Sequence, residues 1–162
     1  MRNGRGTLGA VIAALLVWLS MPSPAAAQAG AASPAELSTR YSQALARKDA
    51  SVYALLVCWD RVRPQDKQSL ESGFTWEASN AASDFRFLTL EQMDQEVRKA
   101  GGMALTRTPV KRDGVSFDFN LPVIGYVAYR FKSQDGKSQG NGAVPVGLKG
   151  GRYFVTTRAP VQ

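Results

Sequence analysis

The chain has 162 residues, a formal net charge of +7, one cysteine and no histidine. One cysteine excludes an intrachain disulfide, and the lack of histidine excludes a Ser-His-Asp triad, a histidine general base and a histidine-ligated zinc site. Catalysis would need carboxylates, lysine, tyrosine or a supplied cofactor, and we predict no catalytic residue, no metal site and no cofactor.

The first 27 residues have the pattern of a secretory signal peptide. Two arginines without an acid precede an apolar run over 8–19, and the alanines at 25–27 fit a small-residue cleavage site. The run is too short for a membrane span, which needs roughly 20 residues. The pattern predicts a periplasmic or secreted chain that begins near Gln28. Cleavage before Gly30 and retention as a membrane anchor are the alternatives.

Small residues over 28–32 are expected to form a flexible tether, and a single domain is expected over 33–160. A first helix is predicted over 34–47, because Ser33 can cap it, proline suits the first helical position and Glu36 completes a capping box. Its apolar residues recur at helical spacing, as expected of an amphipathic helix.

Two further helices are predicted before the pattern changes. Asp49 is a suitable cap for a second, strongly apolar helix that ends near Trp59 and Asp60. Cys58 lies in this apolar stretch, and we interpret it as a buried structural thiol. A third helix is predicted over about 65–78.

The second half of the chain is typical of strands. A short strand is predicted around 85–88, and residues 91–99 fit a polar helix or an exposed strand. From Val115 to Leu121, apolar and polar residues alternate, which predicts a half-buried strand. Three more strands separated by glycine-containing turns follow, at 123–132, 143–149 and 152–158.

Helices followed by antiparallel strands predict an α+β fold, with N-terminal helices packed on a curved antiparallel sheet of about four to five strands. The helix over 36–47, the break ARKDASVYALL at 46–56 and the closing VGLKGGRYFVTTR at 146–158 resemble the nuclear-transport-factor-like and polyketide-cyclase-like superfamily. The resemblance implies a cone-shaped α+β domain over about 35–158. Enzymes of that superfamily use a histidine inside the cone, so the resemblance implies no catalytic residue in this chain.

The resemblance also implies a cavity between the sheet and the helices, and protein pockets are mostly apolar with a few placed polar groups. Six residues are candidates for binding a ligand there: Trp59, Asp60, Trp76, Asp118, Tyr126 and Tyr129. Core packing is the alternative for the tryptophans. Asp118 alternates with apolar positions and is expected to face solvent, and Asp60 could belong to a surface ion cluster with Arg61 and Arg63.

Positive charge is concentrated in the second half. Residues 28–100 contain nine basic and ten acidic residues, whereas residues 101–162 contain nine basic and three acidic residues. Such an excess attracts anionic lipid or acidic polymers, although solvated strand faces are the alternative. The candidate basic surface consists of Arg130, Lys132, Lys149, Arg152 and Arg158.

These features favour an exported, non-enzymatic module of the cell envelope. Its expected partners are a small apolar ligand, an envelope protein or an anionic polymer, and a homodimer stays open. Nucleic acid is not expected as a partner, because export separates the protein from it. The alternatives are an envelope assembly protein and a histidine-independent enzyme with Asp60 or Asp118 as its base.

Overall fold

The fold is given by a computed structural model that describes residues 28–103, 105 and 107–161. The predicted signal peptide lies outside the described residues. The helices are α1 (Pro34–Arg47), α2 (Ala50–Leu56), α3 (Pro64–Glu77) and α4 (Leu90–Lys99). The strands are β1 (Ala81–Thr89), β2 (Val110–Arg112), β3 (Val115–Phe119), β4 (Gly125–Lys132), β5 (Gln139–Lys149), β6 (Arg152–Val155) and β7 (Arg158–Pro160).

The predicted α+β class, with helices preceding an antiparallel sheet, is confirmed. The main sheet is curled and has four strands in the order β1-β4-β5-β6, and a second sheet has three strands in the order β2-β3-β7. All strand pairs in both sheets are antiparallel. Helix α1 packs on β1 and on α2, so the helices cover one face of the main sheet.

Local side-chain caps explain where the first two helices begin and end. The Ser33 hydroxyl accepts a hydrogen bond from the Glu36 amide at 3.1 Å, while the Glu36 carboxylate accepts from the amide of Ala32 at 2.8 Å. Lys48 ends α1 in the left-handed region, with φ 54°. Asp49 then caps α2 by accepting from two amides of its first turn. The predicted break between α1 and α2 is confirmed.

Helix α2 ends at Leu56, and the predicted end near Trp59 is wrong. Val57 is extended and forms a bridge with Val155 of β6, and the Cys58 amide donates to the Val155 carbonyl at 2.9 Å. Pairing with the sheet therefore replaces the last predicted helical turn. Cys58 is a buried free thiol, as predicted, and burial raises its pKa.

Several predicted strands differ in extent from the observed ones, and the strand predicted at 143–149 is the longer β5. The short strand predicted at 85–88 is the nine-residue β1, which has an irregular register between Ser83 and Arg86, where Asp84 has φ 57°. The last predicted strand divides into β6 and β7, which belong to different sheets. The ambiguous segment at 91–99 is helix α4, which begins with a capping box.

The segment predicted as a flexible tether is anchored to the fold. Ala31 is fully buried, and its amide and carbonyl both pair with Tyr153 of β6, at 2.9 and 2.8 Å. The Gly30 amide donates to the Leu55 carbonyl at 2.7 Å. The Phe154 ring lies so close to Gly30 that an added Cβ would be 2.6 Å from it. Backbone pairing and ring packing, which small residues permit, therefore replace the predicted tether.

Among the described residues, none of the helices combines the length and the apolar character needed to span a bilayer.

Candidate functional site

Aromatic rings fill the space between the helices and the main sheet, where the resemblance implies a cavity. Tyr53 stacks on Phe74 with ring centroids 4.3 Å apart, and Phe85 stacks on Tyr129 at 5.1 Å. Tyr41 joins the two pairs, with its centroid 6.2 Å from Tyr53 and 6.1 Å from Tyr129. We call these five residues the aromatic core.

A half-buried carboxylate lies against the aromatic core. The Tyr41 hydroxyl donates to Oε2 of Glu77 at 2.6 Å. Burial, with the Glu77 charge as a further cause, raises the pKa of Tyr41 well above its usual value, and the same two causes raise the pKa of Tyr129. Both phenols therefore stay neutral near pH 7, and the Tyr41 hydroxyl joins α1 to α3 through its hydrogen bond to Glu77.

Trp59 and Tyr129, both predicted as ligand-binding residues, lie at the aromatic core. Tyr129 is buried within it, and Trp59 meets Tyr53 edge to face at 6.5 Å. The Trp59 indole donates to the Ala54 carbonyl at 2.8 Å, and the Lys67 ammonium lies 5.1 Å from its ring centroid. The Trp59 ring is thus fixed by contacts within the fold.

The predicted residues Asp60 and Trp76 lie at the surface in different surroundings. Asp60 forms an ion pair with Lys149 at 2.5 Å, which lowers the pKa of the carboxyl. Trp76 is 61% exposed and meets the ring of Phe131 edge to face at 6.2 Å. A carboxylate that already pairs with a lysine is a poor general base, because its proton affinity is low.

Asp118 and Tyr126 complete the set of six. Asp118 is half-buried, and its carboxylate accepts a hydrogen bond from the neighbouring amide of Phe119 at 2.7 Å. Tyr126 is buried in β4, and the guanidinium of Arg107 lies 5.9 Å from its ring centroid. Trp59 and Tyr129 therefore share the aromatic core, whereas Asp60, Trp76, Asp118 and Tyr126 have other neighbours in the described part of the chain.

Two members of the predicted basic surface are neutralised by ion pairs. Arg130 pairs with Asp84 at 3.5 Å, and Lys149 pairs with Asp60. Lys132 is exposed near the end of β4. Exposed pairs of this kind contribute little to stability, but they reduce the positive field that the sequence predicts.

The other two members bind main-chain carbonyls. Arg152 donates to the carbonyls of Ala29 and Gly30, at 2.7 and 3.0 Å. Arg158 donates to the carbonyl of Thr108 at 2.9 Å, and its guanidinium lies 4.4 Å from the ring centroid of Phe119. Some of the basic residues in the second half therefore stabilise the fold through hydrogen bonds to main-chain carbonyls.

A groove of about 740 Å³ lies between α3 and the three-stranded sheet. Its apolar lining includes Leu70 of α3, Val110 of β2, and Val115 and Phe117 of β3. The basic side chains of Arg63, Arg112 and Arg158 also line it, together with the carboxylates of Asp66 and Asp113. We call this feature the α3 groove. Sequence reasoning missed it, because its sides come from segments that are far apart in the chain.

Arg63 is held firmly at the α3 groove. Its guanidinium makes a two-point contact with the Asp66 carboxylate, at 2.6 and 3.0 Å, and lies 4.9 Å from the ring centroid of Phe117. The hydrogen bonds from Arg63 lower the pKa of Asp66. Both groups are therefore charged near pH 7, and the pair presents an ordered polar edge beside an apolar floor.

The charges that line the α3 groove do not cancel. Three arginines face two aspartates, which leaves one net positive charge. A larger depression of about 1000 Å³ between α1 and β1 contains one acid and one base, Asp84 and Arg86, and otherwise small, polar or phenylalanine side chains. The α3 groove thus combines apolar surface with a net positive charge, and the larger depression does not.

Within the described part of the chain, no group of three metal-ligating side chains is close enough together to hold a metal ion. Comparison of the sequence with protein-family models finds no matching model, and comparisons with curated proteins and with solved structures find no significant match.

Proposed function

We propose that this chain is an exported, non-enzymatic module of the cell envelope that binds a small amphipathic monoanion, such as a fatty acid, in the α3 groove. The signal-peptide pattern of the first 27 residues supports export. The observation that carries the binding proposal is the α3 groove itself, where apolar side chains lie beside three arginines and two aspartates.

Size, chemistry and charge all favour this class of ligand. A volume of about 740 Å³ lies within the usual range for small-molecule sites, roughly 300–1,000 Å³. Leu70, Val115 and Phe117 offer apolar contact to an alkyl or aromatic group. Arg112 has an exposed ion pair with Asp113 that is long, at 3.7 Å. The planar guanidinium groups of Arg112 and Arg158 suit a carboxylate, which such groups can bind at two points. One net positive charge is matched by a ligand with one negative charge.

A thermal-shift titration tests the proposal with decanoic acid, its alcohol decanol, and acetate. Decanoic acid should raise the melting temperature, while decanol and acetate should not, because each lacks one half of the required chemistry. A ligand at 100 times its dissociation constant stabilises the fold by about 2.7 kcal/mol. A shift of several degrees is therefore expected for a domain of this size.

Two matched variants locate the site. Arg112→Gln removes a charge that is 83% exposed at the α3 groove, so it should weaken binding of decanoic acid with little effect on the unliganded protein. Lys132→Gln removes an exposed charge of the same sign that does not line the groove, and binding should be unchanged. Equal shifts for the acid and the alcohol, or equal binding by both variants, would contradict the proposal.

A further inference from the structure

Two arginines bind the first residues that follow the predicted cleavage site. Arg152 Nη1 donates to the side-chain Oε1 of Gln28 at 3.0 Å, and Arg152 Nε donates to the Ala29 carbonyl at 2.7 Å. Arg40 Nη2 donates to the main-chain carbonyl of Gln28 at 3.0 Å. Both arginines also donate to the Gly30 carbonyl. Gln28 itself is exposed.

These contacts discriminate between the two cleavage sites that the sequence allows. Cleavage before Gly30 would discard Gln28 and Ala29, and with them three of the acceptors that Arg40 and Arg152 bind, and would leave the carbonyl of Gly30. Cleavage after Ala27 keeps every one of these acceptors. The contacts therefore favour Gln28 as the first residue of the exported chain. This step rests on the export that forms part of the proposed function.

We infer that the exported chain carries an N-terminal modification: Gln28 cyclises to pyroglutamate, and Arg152 promotes the reaction through its hydrogen bond to the side-chain amide oxygen. The free α-amino nitrogen of Gln28 attacks its own Cδ, so an N–Cδ bond forms. The Cδ–Nε2 bond breaks, the amine passes one proton to the leaving nitrogen, and ammonia departs. Atoms and charge balance without an oxidant or a co-reactant.

The position of Arg152 fits this chemistry. Negative charge develops on Oε1 when the amine adds to Cδ, and a fixed cationic donor stabilises such an oxyanion. Arg152 is fixed because its other nitrogens are bonded to the carbonyls of Ala29 and Gly30. Its donor lies 3.0 Å from Oε1 before any reaction.

The positive charges near the new N-terminus also favour cyclisation. Cleavage after Ala27 would place an α-ammonium group on Gln28, the residue whose carbonyl and side-chain oxygens bind the guanidinium groups of Arg40 and Arg152. Neighbouring positive charges disfavour the protonated amine and favour its neutral, nucleophilic form. Lactam formation then removes the positive charge permanently, because an amide nitrogen is not basic.

Mass spectrometry tests the product. The full chain, with its own leader, is expressed in a Gram-negative host, recovered from the periplasm and digested, and its N-terminal peptide is weighed. We expect a peptide that begins at Gln28 and lacks the mass of one ammonia. Intact Met1 at the terminus would contradict export itself. A chain that begins at Gly30, or one that keeps uncyclised Gln28, would overturn this inference and leave export standing.

A rate measurement tests Arg152. A chain that begins at Gln28 is released in vitro from a fusion by a site-specific protease, and loss of ammonia is followed with time. Arg152→Gln should slow cyclisation by roughly tenfold, because one charge-assisted hydrogen bond to the reacting oxygen is lost. Arg40→Gln is the comparison variant: it removes a neighbouring positive charge but leaves the contact with Oε1 in place, so it should slow cyclisation less than Arg152→Gln does. Equal rates for the two variants would overturn the role of Arg152.

Unfolded wild-type protein provides a control that does not depend on a variant folding correctly. In urea, Gln28 and Arg152 separate, because they are 124 positions apart in the chain. Cyclisation of the unfolded wild type should therefore slow to about the rate of folded Arg152→Gln. A rate in urea equal to that of the folded wild type would show that the fold makes no contribution.

Discussion

Asn120 joins two segments of the chain through one buried amide. Its Nδ2 donates to the carbonyls of Cys58 and Asp60, at 2.6 and 3.2 Å. Its Oδ1 accepts from the Thr156 hydroxyl at 2.7 Å and from the Thr157 amide at 3.1 Å. The amide thus fixes the segment after α2 against the crossing between β6 and β7, so both sheets depend on it.

Replacing this side chain should destabilise the protein markedly. Asn120→Ala leaves the buried partners of the amide without hydrogen bonds, and one such unsatisfied group costs about 1–3 kcal/mol. We expect a loss of about 2–4 kcal/mol in the free energy of unfolding, measured by urea denaturation.

Asn141→Ala is the matched control, because Asn141 is exposed on β5. Substitutions at such surface positions usually change the free energy of unfolding by less than about 0.5 kcal/mol. If Asn120→Ala changes stability as little as this control does, the Asn120 amide does not connect the two segments in the way we describe.

At the scale of the secondary-structure elements, replacing glycine by alanine should have opposite effects on stability at two positions, one in a strand and one in a helix. Gly142 lies in β5 opposite Tyr129, and an added Cβ would lie 2.2 Å from Cζ of that ring. Gly73 lies in α3, where an added Cβ meets nothing within 4 Å. One position is closed by the aromatic core, and the other is an open helical site.

Gly142→Ala should destabilise the protein by about 1–3 kcal/mol, because the buried ring must shift. Gly73→Ala should stabilise it by about 0.5–1 kcal/mol, because alanine is the better helix former. Thermal unfolding of both variants beside the wild type measures the two effects. Changes of the same sign would show that ring packing at Gly142 does not decide the outcome.

The helices were predictable because their signals are local. Ser33, Asp49 and Pro64 mark the starts of α1, α2 and α3 in the sequence, and the structure uses each of them. The division of the last strand was not predictable. It depends on Thr156 and Thr157, whose buried contacts with Asn120 are made by a residue more than 30 positions away.

The candidate site was predictable only in part, because a pocket depends on which segments meet. Residue type indicated Trp59 and Tyr129 as pocket residues, but their neighbours pack them into the core. Arg158 was predicted as a basic residue and lines the α3 groove, whereas Arg63 was assigned to a surface ion cluster with Asp60. Arg63 pairs with Asp66 instead. The two residues lie three positions apart in the first turn of α3, a spacing from which the pair could have been predicted.

At the scale of the whole molecule, tyrosines connect the layers. Tyr41 belongs to α1, Tyr53 to α2 and Tyr129 to β4, and all three are buried in one cluster. Burial is the largest cause that raises the pKa of each hydroxyl. The link between helices and sheet therefore depends on three phenols that must remain protonated.

This dependence predicts alkaline unfolding. A group whose pKa is raised in the folded state contributes its full stabilisation below the unfolded pKa, about 10 for tyrosine, and loses it as pH rises toward the folded value. Each such tyrosine lowers the free energy of unfolding by up to about 1.4 kcal/mol per pH unit above that point. The slope for Tyr41, Tyr53 and Tyr129 together is therefore up to about 4 kcal/mol per pH unit.

Urea denaturation at a series of alkaline pH values measures that slope, and the absorbance of tyrosinate follows ionisation in the same samples. Tyr41→Phe removes one of the three groups, so it should reduce the slope by about a third. Phe85→Leu disturbs the same aromatic core without removing an ionisable group, so it should lower stability at every pH and leave the slope unchanged. Ionisation of the three phenols near their ordinary pKa in a protein that stays folded would contradict the prediction, because the folded state would then tolerate the charged phenolates.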